Sequence, residues 1–135
     1  MKKTQYFASL LVLLALVTAC APAAQEEAIL TVGENAYTRS DLEALGTMSV
    51  DYTDKDGETT TYEGVSLAAL LADAGISGGT LTFTASDDYQ ADLPADEALA
   101  CANCIVAFDD TTLRLVMPDL SGKLQVKDLV SISAE

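Results

Sequence analysis

The first twenty residues most constrain how the rest of the chain folds, because they must be set aside from the core. The chain begins MKK and then runs through LLVLLALV at residues 10–17. A basic start followed by a short apolar stretch and small residues is typical of an export signal. The stretch is too short to predict a good membrane-spanning helix. We therefore predict that residues 1–19 are a signal peptide and that the fold is built from the residues after the signal.

The end of this segment suggests how the mature chain is attached. VTAC at residues 17–20 resembles the lipobox of bacterial lipoproteins, in which the cysteine becomes the new N-terminus and carries lipid. The resemblance implies lipidation of Cys20 and a tether over residues 20–28. Residues 29–135 are then enough for one domain with one core. We expect an exported protein, lipid-anchored to the outer face of the cell membrane; an ordinary signal peptide with an incidental cysteine is the alternative.

The mature chain is strongly acidic. The sequence has 7 Lys and Arg residues against 21 Asp and Glu residues, and two lysines leave with the signal, so the mature net charge is −16. Such a surface repels nucleic acid and gains nothing electrostatically from anionic lipid. Membrane association would therefore depend on Cys20. The chain has no histidine, which excludes a histidine-based triad and imidazole metal ligands.

Cys101 and Cys104 are the two cysteines that remain if Cys20 is lipidated. An oxidising compartment preserves disulfides, and a structural zinc site would need more Cys or His ligands than the chain has. A thioredoxin-type pair sits at a helix start after a strand, whereas this pair follows a helical stretch and precedes a strand. We favour a disulfide at a helix-to-strand turn, with a free dithiol and a redox-active pair as the alternatives.

The hydrophobic pattern predicts strands interspersed with short helices. Residues 47–64 alternate around a turn at Lys55–Gly57 and predict a β-hairpin. VSLAALLADAGI, at 65–76, predicts a helix capped by Ser66 and ended by Gly75. Shorter helices are expected over 37–46 and 94–100, and further strands over 28–32, 80–86, 104–108 and 113–118. Residues 124–134 predict two short strands or one bent strand. Without regular βαβ alternation, the chain is expected to be α+β, with a mixed, mostly antiparallel sheet and two or three short helices.

Three phrases of the mature chain occur in an order and spacing that resemble one known family. They are TYEGVSLAALLADAGI (61–76), FTASDDYQADLPADEAL (83–99) and LRLVMPDLSGKLQVKDLVSI (113–132). Together they resemble the oxidoreductase molybdopterin-binding domain, which has the sulfite oxidase-like fold. The resemblance covers residues 52–132 and implies a shortened version of that domain. It also implies a molybdenum–pterin cofactor, redox chemistry and a protein redox partner.

The resemblance implies a set of five cofactor-binding residues. Arg114 matches the arginine of the family's LRLV phrase. Gly122 and Lys127 match a glycine and a lysine near the pterin. Asp88 and Tyr89 match the family's DGY turn, where Asp88 stands at or beside the family's glycine and lacks its freedom of close approach. For Arg114, the alternative is an ordinary strand residue that pairs with a nearby aspartate.

The chain also departs from the family. The family's enzymes supply a molybdenum-ligating cysteine before the hairpin, and residues 28–48 contain none. An anionic cofactor on so acidic a protein needs a cationic pocket, for which Arg114, Lys123 and Lys127 are the candidates. We therefore assign no catalytic residue and no metal ligand, and whether the chain is an enzyme stays open.

The sequence is compatible with three functions. One is a molybdenum–pterin redox protein, as the resemblance implies. The second is a cofactor-free binding or interaction lipoprotein that keeps the fold, and the residues alone favour this one, with no cofactor bound. The third is a dithiol–disulfide partner in extracytoplasmic electron transfer that uses Cys101 and Cys104.

Overall fold

A computed structural model describes residues 26–135. The predicted signal peptide, Cys20 and the first part of the tether lie outside these residues. Strands and helices are interspersed along the chain. The strands are β1 (Leu30–Val32), β2 (Asn35–Tyr37), β3 (Thr47–Thr53), β4 (Thr59–Ser66), β5 (Thr80–Ala85), β6 (Gln90–Pro94), β7 (Ile105–Asp109), β8 (Thr112–Val116) and β9 (Leu129–Ala134). The helices are α1 (Arg39–Ala44), α2 (Leu67–Asp73) and α3 (Ala95–Ala100), with a 3-10 turn at Gly122–Leu124.

The nine strands form two sheets. One sheet has five strands in the order β2-β1-β9-β5-β6, and the other has four in the order β3-β4-β7-β8. Strands β1 and β9 pair in parallel, and the other neighbouring pairs are antiparallel. The expected α+β class, mostly antiparallel with three short helices, is confirmed. Within residues 26–135, no helix combines the length and the apolar character that crossing a bilayer requires.

The main core joins both sheets to the helices. Helix α2 begins where Ser66 Oγ accepts a hydrogen bond from the Ala69 amide at 3.4 Å, as the sequence predicted. It ends before Gly75, whose φ of +77° is one that glycine adopts without strain. Its leucines Leu67, Leu70 and Leu71 are fully buried in the main cluster. These leucines anchor α2 in the main core, and β4 leads directly into this helix.

A disulfide joins Cys101 to Cys104. Helix α3 ends at Ala100 and β7 begins at Ile105, so the bridge closes a helix-to-strand turn. Cys104 is fully buried, and its carbonyl oxygen accepts a hydrogen bond of 2.9 Å from the Leu67 amide. The disulfide therefore ties the end of α3 to the start of β7, and the hydrogen bond at Cys104 connects this turn to the start of α2.

A second apolar cluster covers the other face of the four-stranded sheet, which we call the outer face. Along β7, Val106 belongs to the main core, whereas its neighbours Ile105 and Ala107 belong to this second cluster. The alternation follows from the pleat of a strand. The remaining members of the outer-face cluster are Val50 and Val116, with Met48, Tyr52 and Tyr62 packed against them and partly buried.

Candidate functional site

Three of the five residues that the resemblance implies, Tyr89, Gly122 and Lys127, line one cleft of about 310 Å³, which we call the Tyr89 cleft. It lies between the β5–β6 turn, the 3-10 turn and the chain that leads into β9. Its lining residues are Ala85, Asp87, Tyr89, Gly122, Lys123, Gln125, Val126, Lys127 and Asp128.

The β5–β6 turn forms one wall of the cleft. The amide of Ala85 donates to the carbonyl of Tyr89 at 2.9 Å, and the amide of Asp88 donates back to the carbonyl of Ala85 at 3.0 Å. The Asp87 carboxylate accepts from the Tyr89 amide at 3.1 Å, as aspartates in turns commonly do. Asp88 has a φ of +68°. An aspartate therefore adopts the left-handed backbone that the family's glycine would adopt freely.

The opposite wall is held in place by two side chains. The Tyr89 hydroxyl donates to the carbonyl of Lys123 at 2.8 Å and so spans the cleft. The Gln125 side-chain amide accepts from the Met117 backbone amide at 2.8 Å and donates to the Met117 carbonyl at 2.7 Å. This double hydrogen bond mimics a strand pairing and fixes both ends of the loop between residues 117 and 125. The wall is thus positioned by these polar contacts together with Leu124 and Val126, which are buried in the main core.

The lining of the Tyr89 cleft contains equal numbers of basic and acidic side chains. Lys123 and Lys127 line it together with Asp87 and Asp128, and all four are exposed. Within residues 26–135, neither lysine lies at salt-bridge distance from a carboxylate. Exposed charges of both signs are screened by solvent and salt. The cleft therefore offers no concentrated positive field.

The backbone of Arg114 lies beside the Tyr89 cleft, but its side chain is not part of the cleft lining. Its backbone forms a β-bridge with Lys127. Its guanidinium sits 4.7 Å from the Tyr62 ring centre, donates to the Tyr62 hydroxyl at 3.0 Å and lies 3.6 Å from the Asp109 carboxylate. The side chain is 12 % exposed, and its buried Nε has no hydrogen-bond partner among the described residues. Arg114 thus belongs to the outer face, next to an aspartate.

The structure therefore brings some of the family-matched residues together and separates one. Tyr89, Gly122 and Lys127 line the Tyr89 cleft, and Asp88 shapes its turn, whereas Arg114 is not among the lining residues. Sequence reasoning missed Gln125, which alternates with two buried apolar neighbours and so looks like any solvent-facing strand residue. Its structural role depends on Met117, which no local pattern connects to it.

The residues at the cleft do not fit a molybdenum–pterin group. Within residues 26–135, the cysteine sulfurs are joined to each other at the α3–β7 turn, so no thiolate is available as a ligand. No group of three or more Cys, Asp or Glu side chains suitable for a metal occurs in the same part of the chain. At the cleft, Asp87 and Asp128 offset Lys123 and Lys127, so its lining lacks the excess of positive charge that an anionic cofactor needs.

Comparison with known proteins finds a fold relative. No protein-family model and no curated protein matches the chain. Among solved structures, the sulfane dehydrogenase SoxCD from Paracoccus pantotrophus matches with a TM-score of 0.62 and 18 % sequence identity. The match covers 79 % of this chain and 37 % of that one, so this chain spans little more than a third of its relative. At this identity, the likeness shows a shared fold.

Proposed function

We propose that this protein is an extracytoplasmic lipoprotein, attached through Cys20, whose domain is a binding module. The module keeps the fold of a molybdopterin oxidoreductase without the metal chemistry. The observation that carries this proposal is the disulfide between Cys101 and Cys104, which consumes the thiols of the described domain away from the Tyr89 cleft. The resemblance implies a cysteine ligand for molybdenum before the hairpin, and residues 28–48 contain no cysteine.

The character of the cleft supports the same proposal. Its volume of about 310 Å³ is at the small end for ligand pockets. Lys123 and Lys127 oppose Asp87 and Asp128, and Tyr89, 45 % exposed, offers an aromatic ring beside them. These groups suit a small polar or zwitterionic group that contacts the tyrosine ring. They suit a large phosphorylated cofactor less well, because such a ligand needs an excess of positive charge.

A molybdenum–pterin redox domain is the second candidate. The three family-like phrases favour it, and so does the fold shared with a sulfane dehydrogenase. The two candidates differ in metal content. A cofactor-binding domain carries molybdenum near one per chain, whereas a binding module carries none.

Metal and pterin analysis separates the candidates. The full chain is produced in a bacterial host that synthesises the molybdenum–pterin cofactor, with a molybdenum–pterin enzyme produced in the same host to confirm cofactor supply. We expect molybdenum and released pterin at background in this protein and near one per chain in the control. Molybdenum near one per chain, lost in Lys127→Glu, would establish the redox candidate and overturn our proposal.

Membrane attachment is tested separately. We expect Cys20→Ser to shift the protein from the membrane fraction to the soluble exported fraction. The double variant Cys101→Ala/Cys104→Ala is the matched control, because it alters the other two cysteines and should stay with the membrane. If Cys20→Ser remains membrane-bound, attachment through lipid on this residue is excluded.

A further inference from the structure

One sheet edge differs from the others in the described part of the chain. The two sheets end in β2, β6, β3 and β8. Strand β2 has three residues, β6 contacts the 3-10 turn, and β8 is flanked by the segment in which Val126 accepts from the Leu115 amide at 2.8 Å. Strand β3 has seven residues and pairs only with β4. Its free side is the longest open edge among residues 26–135.

The hairpin register identifies which backbone groups face this open side. The Asp54 amide donates to the Glu58 carbonyl at 2.9 Å, which makes these two residues a hydrogen-bonded pair. Hydrogen-bonded and non-hydrogen-bonded pairs alternate along an antiparallel ladder. The hydroxyls of Thr53 and Thr59 lie 2.8 Å apart, as expected for a close, non-hydrogen-bonded pair. The outward amides and carbonyls therefore belong to Thr47, Ser49, Asp51 and Thr53.

The two faces of β3 have different chemistry. Met48, Val50 and Tyr52 lie on the outer face and pack into its apolar cluster, where Met48 and Tyr52 remain partly exposed. The opposite face carries only hydroxyl and acidic side chains and is exposed. Strand β3 contains no proline and no lysine, the residues that commonly protect an edge from pairing. The edge thus has free backbone groups beside an incompletely covered apolar row.

We propose that the β3 edge is a docking site for an extended segment of another protein that alternates apolar and basic residues. Strand addition places partner side chains opposite Met48, Val50 and Tyr52 on the outer face, where apolar groups complete the cluster. Partner side chains on the opposite face meet a hairpin rich in acids. Residues 47–64 carry five carboxylates, those of Asp51, Asp54, Asp56, Glu58 and Glu63, and one lysine, Lys55.

A second copy of this chain is disfavoured at this edge. Its β3–β4 hairpin would bring a second set of acidic side chains beside the first, and residues 26–135 carry 21 acidic and 5 basic residues. Like charges placed opposite each other destabilise a strand pair. The β3 edge is also separate from the Tyr89 cleft, which lies at the β5–β6 turn. Docking at β3 therefore does not depend on the function proposed for the cleft.

Hydrogen exchange with a designed probe tests the proposal. The probe is a nine-residue peptide that alternates Val and Lys with blocked ends, and the full chain is used in mild detergent. In the free protein, we expect fast exchange of the Ser49, Asp51 and Thr53 amides and slow exchange of the Val50 and Tyr52 amides. Adding the peptide should slow the first three at least tenfold. A peptide of the same composition with all lysines in one block is the control and should leave them fast.

Two variants test the contacts. Ser49→Pro removes one outward amide and no bond to β4, so we expect at least a tenfold loss of affinity for the alternating peptide with a near-normal melting temperature. Ser49→Ala keeps the amide and should bind like the wild type. Asp51→Lys should also weaken binding at least tenfold. Equal binding of the block peptide, unchanged affinity of Ser49→Pro, or a dimer that protects these amides without peptide would each overturn the proposal.

Discussion

Deprotonation of the Tyr37 hydroxyl is coupled to unfolding. Its side chain is 5 % exposed, and its hydroxyl donates to the Asp73 carboxylate at 2.8 Å. Burial, together with this hydrogen bond and the negative charge of Asp73, raises the pKa of Tyr37 to about 12. The folded state therefore holds the phenol proton more tightly than the unfolded state, whose pKa is near 10.

This raised pKa makes stability fall at high pH. The contribution of Tyr37 is fully present below pH 10, where both states are protonated, and is lost as pH rises towards 12. The loss is at most about 1.4 kcal/mol per pH unit. We expect wild-type stability to fall more between pH 9 and pH 11 than that of Tyr37→Phe, measured by urea unfolding. An equal fall in the wild type and in Tyr37→Phe would refute the coupling.

Gly64 is required by the close approach of two strands. A Cβ at this position would lie 2.1 Å from the Val106 carbonyl oxygen and 2.5 Å from the Ala107 Cα, both backbone atoms. Because neither can move without shifting β7, we expect Gly64→Ala to lower the free energy of unfolding by about 3 kcal/mol. Gly78→Ala is the matched control, since nothing lies within 4 Å of its Cβ, and should change stability by less than about 0.5 kcal/mol. Equal stability of the two variants would contradict the close approach.

Single residues of the site were predictable to the extent that their role is local. The turn at Asp88 was visible because acidic residues form turns through their own side chains. The direction of the Arg114 side chain was predictable only in part. Alternation with Leu113 and Leu115 places it on the face away from the main core. That this face contains Tyr62 instead of the Tyr89 cleft depends on how the sheets pack, which alternation does not encode.

At the scale of elements, the disulfide stabilises the turn between α3 and β7. Cross-linking a four-residue loop lowers the entropy of the unfolded chain and is worth about 2 kcal/mol. We expect Cys101→Ala/Cys104→Ala to lose about this amount in urea unfolding. A strong reductant should destabilise the wild type by a similar amount and leave the variant unchanged.

The rate at which the Cys101–Cys104 disulfide is reduced tests whether it is a redox centre. Cys104 is fully buried and Cys101 is only partly exposed, so an external thiol has limited access to either sulfur of the bridge. We therefore expect the folded protein to resist mild dithiol and to react only on unfolding, as followed by thiol titration. Rapid reduction of the folded protein would instead support the dithiol–disulfide partner.

Elements with a strong local signal were predicted correctly, and those without one were not. The β3–β4 hairpin and helix α2 follow from alternation, a serine cap and a terminal glycine. Strand β2 was missed because three residues are too few to display a period of two. The 3-10 turn at Gly122–Leu124 was missed because a single turn has no periodicity of its own, and Leu124 was instead expected to begin a strand. The separation of the strands into two sheets could not be predicted from the sequence, because it depends on pairings between strands that are distant along the chain.

At the scale of the whole molecule, charge repulsion works against folding. Residues 26–135 contain all 21 carboxylates and five of the seven basic residues. Salt screens such repulsion, so we expect the melting temperature to rise by about 4 °C between 20 mM and 500 mM NaCl. The rise should shrink near pH 4, close to the sequence pI of about 4.1, where net charge is small. A melting temperature that falls with salt at pH 7 would contradict this.

The pairing of β1 with β9 sets the order in which this molecule can be completed. Thr31 is aligned with Ser131, so neighbours in the centre of the five-stranded sheet are separated by about the whole domain. Contacts between such distant residues make folding slow. A ribosome or translocase releases the chain from its amino end, so Leu30 and Phe83 emerge before the strand that lies between theirs. Until β9 emerges, the nascent domain has a gap in the middle of its five-stranded sheet, and the edges of β1 and β5 that face this gap are unpaired.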